Sequence, residues 1–194
     1  MKKFLAVLLA CAALFTLAAC GKTGEKEPEV VEPAAPEVTA ASPEEIINTV
    51  WNGLDEDKKF PAMGGNPEEM NEDGAAAFDM SDAESVLSFL HISEETSAMT
   101  DGAASLIHAM NANTFTSAAF HLAEGQDMDA FVSAVKEDVL STQWICGFPD
   151  TLVIFTLGDY AVYFLGDDEI VSNFKAGMET AFGGAAVLAA EETA

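Results

Sequence analysis

The chain has 194 residues, with 33 Asp and Glu against 8 Lys, no Arg and a formal net charge of −25. That charge opposes binding to nucleic acid or anionic headgroups, and without Arg there is no planar fork for bidentate phosphate recognition. So many acids are read first as a solubilising surface and only second as a cation site.

Lys2 and Lys3 precede an apolar run, Phe4 to Ala19, that ends in small residues, the layout of a secretory signal. Sixteen uncharged residues are short for a bilayer span, and no stop-transfer pattern follows, which disfavours an uncleaved membrane helix. Leu17-Ala18-Ala19-Cys20 resembles the lipobox of bacterial lipoproteins. The resemblance implies a signal peptide over 1–19 and a diacylglyceryl group on the Cys20 thiol. Two acyl chains anchor a protein stably where one does not, so Cys20 would hold the chain at the extracytoplasmic face of the membrane. Loss of Lys2 and Lys3 takes the net charge from −25 to −27. Cys11 leaves with the signal, so Cys146 is the one remaining thiol, no intramolecular disulfide can form, and stability rests on an apolar core.

Residues 21–42 carry Pro28, Pro33 and Pro36 without helical or alternating periodicity, and with Cys20 they form a Pro/Glu-rich linker over 20–42. Twenty-two flexible residues span about 25 Å on average. A single domain is expected over 43–185, followed by an acidic tail over 186–194. Ser42-Pro43-Glu44-Glu45 is a helix start, with Ser42 as N-cap, Pro43 at the first helical position and Glu45 completing a capping box. Ile46, Ile47, Val50 and Trp51 make its apolar face, and Gly53 ends it. Leu54 to Asp79 is expected as a long loop with at most short structure. Ser81-Asp82-Ala83-Glu84 opens a second helix, with Val86, Leu87 and Leu90 inward.

Leu106 to Met110 and Phe115 to Leu122 are expected as strands around a turn at 111–113. Met128, Phe131, Val132, Val135, Val139 and Leu140 fit one helical face. Leu152 to Leu157 and Tyr160 to Leu165 are dense in strand formers on either side of the two-residue turn Gly158-Asp159. Asp167 is placed to cap a last helix bearing Ile170, Val171, Phe174 and Met178, which Gly183-Gly184 terminates. The fold class expected is α+β. An antiparallel sheet of about four strands, ordered hairpin-helix-hairpin-helix, would carry its helices on one face and be preceded by N-terminal helices.

Phe120 to Gly125 leading into a helix, Thr142 to Cys146, and the paired strands around Gly158-Asp159 resemble small lipoproteins of Gram-positive anaerobes that carry a domain of unknown function. The match covers about a third of the chain. It implies an α+β lipoprotein domain and carries no activity with it.

Glu69-x-Asn71-x-Asp73-Gly74 mimics the start of a calcium loop, but its twelfth position is Met80 where a bidentate Glu is needed. A looser cation site could use Asp73 and Asp79, or Asp55 and Asp57. His91, His108 and His121 lack helical metal spacing; if the first hairpin forms, His108 and His121 become cross-strand candidates for a metal or a hydrogen-bonded pair. Cys146 stands in an apolar setting that raises a thiol pKa, and is read as core or strand entry. Nucleophile, thiol-redox, zinc-protease and phosphate-loop motifs are all missing from the sequence. The reading is a lipid-anchored binding or interaction domain, non-enzymatic and without a cofactor. Its partners would be the membrane, through Cys20, and an envelope protein, with nucleic acid excluded. A calcium-responsive module is the alternative, and an envelope hydrolase ranks last.

Overall fold

The structure, a computed structural model, describes residues 40, 42–110, 113–145 and 147–194. The signal, Cys20, the linker to residue 39 and Cys146 lie outside the described residues.

Helix α1 (Pro43–Gly53) starts where its caps place it. The Ser42 hydroxyl accepts from the Glu45 N–H at 3.2 Å, and Pro43 fills a position whose N–H has no helical partner. Ile46, Ile47, Val50 and Trp51 are buried. The segment that follows carries strands β1 (Ala62–Met63) and β2 (Ala76–Ala77), both antiparallel to β3 (Thr100–His108) along the same edge. Two side chains hold it there. Asn48 of α1 donates to the Ala75 carbonyl at 3.0 Å and accepts from the Ala75 N–H at 2.9 Å, and the Ser105 hydroxyl of β3 accepts from the Gly65 N–H at 3.0 Å. The long loop therefore covers a strand edge that would otherwise be open.

Helix α2 (Ala83–Ser85) continues into a π-helical turn, Val86–Leu90. Its N-cap is Asp82, whose carboxylate accepts from the Glu84 N–H at 3.1 Å, one residue beyond the expected Ser81. Val86 and Leu90 point inward as expected. Leu87 does not: in the wider π turn it faces out and is 59% exposed. Helix α3 (Glu94–Ser97) is a single turn capped by Ser93.

Strands β3 and β4 (Phe115–Leu122), helix α4 (Met128–Leu140), strands β5 (Thr151–Leu157) and β6 (Tyr160–Gly166), and helix α5 (Asp168–Phe182) give the expected hairpin-helix-hairpin-helix order. Asp127 caps α4 by accepting from the Ala130 N–H at 2.8 Å. Gly158 adopts φ 60 while Asp159 stays at negative φ, the pattern of a II′ turn, which matches strand twist. Asp167 occupies the N-cap position of α5 without a capping hydrogen bond. Its neighbour Asp168 instead accepts from the Thr151 hydroxyl at 2.6 Å.

The α+β class and the antiparallel sheet hold, but three expectations are corrected. The sheet has seven strands rather than about four, in the order β1-β3-β4-β6-β5-β7 with β2 also on β3. The acidic tail expected over 186–194 is largely strand β7 (Val187–Thr193), antiparallel to β5. Successive residues of a strand face opposite ways, and here Glu191 meets Lys175 of α5 while Glu192 meets Lys136 of α4. Thus β7 is held from both sides.

The helices, moreover, cover both faces of the sheet. On one, α1 and α5 bury Trp51, Val171, Phe174 and Met178 against Val153, Phe155, Val162 and Phe164. On the other, α4 and the π turn bury Phe131, Val135, Val139, Val86 and Leu90 against Phe120, Leu152, Ile154, Tyr163 and Leu165. The cause lies in β5 and β6, which are apolar at odd and even positions alike, as strands buried on both faces must be. On this second face the π turn is tied to the sheet by Tyr163, whose hydroxyl donates to the Leu90 carbonyl at 2.6 Å.

One group inside this packing lacks a partner. The Ser117 hydroxyl on β4 is fully buried and makes no hydrogen bond within the described residues. Burying an unpaired hydroxyl costs free energy that an alanine of nearly the same shape does not. Ser117→Ala is expected to raise unfolding free energy by about 1 kcal/mol, read from the urea midpoint. A loss of stability would show that the hydroxyl has a partner after all.

Candidate functional site

Strand register divides the domain into two ends. At one, Gly102 of β3 pairs with His121 of β4, which pairs with Tyr160 of β6. At the other, Phe115 pairs with Gly166, which pairs with Thr151 at the start of β5. His108 and His121 therefore sit at opposite ends of the hairpin, not opposite each other. His108 is four residues from position 112 in the turn and His121 nine, so the register keeps them apart.

At the first end, His121 Nδ1 pairs with the Asp101 carboxylate and its ring lies 4.8 Å from that of Tyr160. Pro43 is here too, its Cγ 3.8 Å from where a Gly102 Cβ would stand. Helix α1 begins at this end.

At the second end His108 serves the fold. Its ring stacks on Phe60 at 4.7 Å, and Nδ1 accepts from the Met110 N–H at 3.0 Å. With Nδ1 an acceptor, the neutral ring carries its proton on Nε2, so the Asn113 side-chain amide 3.2 Å away must turn its oxygen toward it. Burial lowers the His108 pKa, with Asp167 opposing.

His91 closes the π turn in the left-handed region, at φ 53 and ψ 29, the one non-glycine residue with positive φ among the described residues. Its ring meets Trp144 edge-on at 4.6 Å, and burial lowers its pKa from 6.5 to about 4. As pH falls the unfolded chain takes up this proton first, so the contribution of neutral His91 is complete above about pH 6.5, declines below it and is exhausted near pH 4. Two and a half pKa units correspond to about 3 kcal/mol, which the partial exposure of the ring reduces to about 1–3 kcal/mol. Urea titrations at pH 7 and 4.5 should show a smaller acid loss in His91→Asn, since Asn also tolerates left-handed φ; equal losses in both proteins would remove His91 as the cause.

Trp144 belongs to the loop from 141 to 150 that joins α4 to β5. Trp144 is half-buried on His91 and Pro149 is buried, so the loop is fixed at two points. Between them Ile145 is 89% exposed and Phe148 70% exposed. Both are farther from burial than any other large apolar side chain among the described residues. Leu140, at the end of α4, and Met110, just past β3, are also exposed at this end. Beside Phe148, Asp150 is exposed; its carboxylate accepts from the N–H of Asp168, and the Asp167 N–H donates to the Thr114 carbonyl.

Cys146, read as core or strand entry, lies outside the described residues; its neighbours Ile145 and Phe148 face solvent. An apolar residue is read as buried by default; Gly147 and Pro149, which favour a loop over a strand, were the available signal. The weak metal candidates do not converge. Asp73 is exposed and its N–H is taken by Asn71 Oδ1 at 3.1 Å, while Asp79 accepts from the Ser81 N–H at 2.9 Å, which lowers its pKa. Asn71, a ligand in the calcium-loop reading, spends its side chain on that turn. Among the described residues no three His, Cys, Asp or Glu are grouped to hold a metal ion, and no helix is long and apolar enough to cross a membrane.

Comparison with family models, curated proteins and solved structures finds no match to this chain.

Proposed function

We propose that this chain is a membrane-anchored extracytoplasmic lipoprotein, held through lipid on Cys20, whose domain is a non-enzymatic interaction module. One observation supports the reading: α1 begins at the Gly102 end of the sheet, while Ile145 and Phe148 stand exposed at the Gly166 end. A seven-residue strand such as β5 is about 23 Å long, so the exposed pair stands well apart from the start of α1, and a flexible linker leaves it free to meet a partner. Burying a side chain of this size contributes about 1.5–3 kcal/mol, enough for two of them to form the centre of a modest interface.

Mass spectrometry of the mature protein tests the anchor. An acylated Cys20 at the N-terminus is expected, and Cys20→Ala should move the protein from the membrane fraction to the medium. A mature protein that retains Lys2 and Lys3, or an unmodified Cys20, sinks the lipoprotein reading.

A further inference from the structure

We infer that the surface at the Gly166 end docks a partner protein that presents an apolar recess bordered by lysine or arginine, with Ile145 and Phe148 entering the recess and Asp150, Asp167 and Asp168 meeting its border. This rests on the interaction-module reading and specifies its partner.

Charge selects the occupant. All four lysines among the described residues are ion-paired elsewhere: Lys58 with Asp55, Lys59 with Glu56, Lys136 with Glu192 and Lys175 with Glu191. None of them faces the carboxylates around Phe148. Those carboxylates meet only neutral donors, Asp168 accepting from the Thr151 hydroxyl and Asp150 from a backbone N–H. Two exposed apolar side chains on a loop that runs into Asp150, itself hydrogen-bonded to Asp168 at the start of α5, are complementary to an apolar recess with a basic border. A second copy of this chain offers the same carboxylates and no unpaired lysine among its described residues, so self-association brings like charges together. An anionic bilayer surface is repelled in the same way.

The tip is also organised before binding. Trp144 rests on His91, Pro149 is buried, and Asp150 lies between the Gly166 carbonyl, to which its N–H donates at 3.0 Å, and the Ala194 N–H, which donates to its carbonyl at 3.0 Å. An anchor fixed in this way loses little freedom on docking.

The test uses the full lipidated chain in nanodiscs of phosphatidylcholine, with Trp144 as reporter, because the only other tryptophan, Trp51, is buried in the α1 core. Two synthetic amphipathic helices of equal length serve as probes, one of leucine and lysine and one of leucine and glutamate. The Leu/Lys helix should shift Trp144 emission saturably, and the Leu/Glu helix should not. Ile145→Asp with Phe148→Asp should weaken the first interaction at least tenfold at unchanged melting temperature, since both residues are exposed. Asp150→Asn with Asp168→Asn should weaken it at least threefold and flatten its salt dependence. Equal binding of both probes, or Leu/Lys binding indifferent to the Ile145/Phe148 double substitution, overturns the proposal. Quenching of Trp144 by brominated lipid would assign the tip to the bilayer, and a concentration-dependent dimer lost in the same double variant would assign it to a second copy; either also overturns it. An unmodified Cys20 with the probe results intact would instead remove the anchor and leave the docking surface standing.

Discussion

Phe174→Ala is expected to lower the free energy of unfolding by about 3–5 kcal/mol, measured by urea denaturation at neutral pH. Phe174 is fully buried on α5 and is where four parts of the chain meet. Its ring lies 4.5 Å from that of Phe115 on β4, 5.4 Å from Phe164 on β6, and 6.2 Å from both Trp51 on α1 and Phe60 in the edge-covering segment. Truncation removes the transfer free energy of the ring and leaves a void lined by other rings, which are too rigid to close it. Phe174→Leu keeps most of the volume and should cost about 1–2 kcal/mol. A loss below 1 kcal/mol for the alanine variant would mean that the aromatic cluster repacks and that α5 is seated by other contacts.

Gly166→Ala should cost a comparable amount, about 3–5 kcal/mol, by a different mechanism. Gly166 ends β6 at φ 151, and a Cβ there would stand 2.1 Å from the Thr114 carbonyl oxygen and 2.8 Å from the Phe115 Cα. Both are backbone atoms, so no side-chain rotation relieves the contact. β4 and β6 must part where Phe115 and Gly166 pair, and β5 and Asp150 are disturbed with them. Gly184→Ala, which has open space around it, is the matched control and should change stability by less than about 0.5 kcal/mol. If both variants melt alike, the close approach at Gly166 is not a constraint on the fold.

Elements written in adjacent residues were legible in the sequence. Ser42 and Pro43 start α1, Gly158-Asp159 turns β5 into β6, and the spacings of Phe131, Val135 and Val139 and of Val171, Phe174 and Met178 mark buried helix faces, because caps, turns and periodicity act over a few residues. What failed depends on residues far apart. β2 requires Asn48 to reach Ala75 across 27 positions, and β7 requires Lys136 and Lys175 to neutralise Glu192 and Glu191. Neither pairing leaves a local trace: the sequence shows that 54–79 holds at most short structure but not where β2 docks, and the β7 stretch reads as an acidic tail. The second helical layer was legible but misread: Leu152 to Leu157 is apolar at every position but Thr156, which a one-sided sheet does not need. The candidate site was hidden for the opposite reason, since nothing in Ile145 or Phe148 distinguishes an apolar residue left outside from one buried.

The opposed positions of the α1 start and the exposed tip also set how the domain would carry load. Tension between Pro43 and a partner gripping Phe148 runs along the strands rather than across them. Tension entering at Pro43 would pass first through α1, whose buried face would slide along the sheet as a whole rather than lift from it residue by residue. A domain held in this way would resist being pulled open by a partner bound at Phe148.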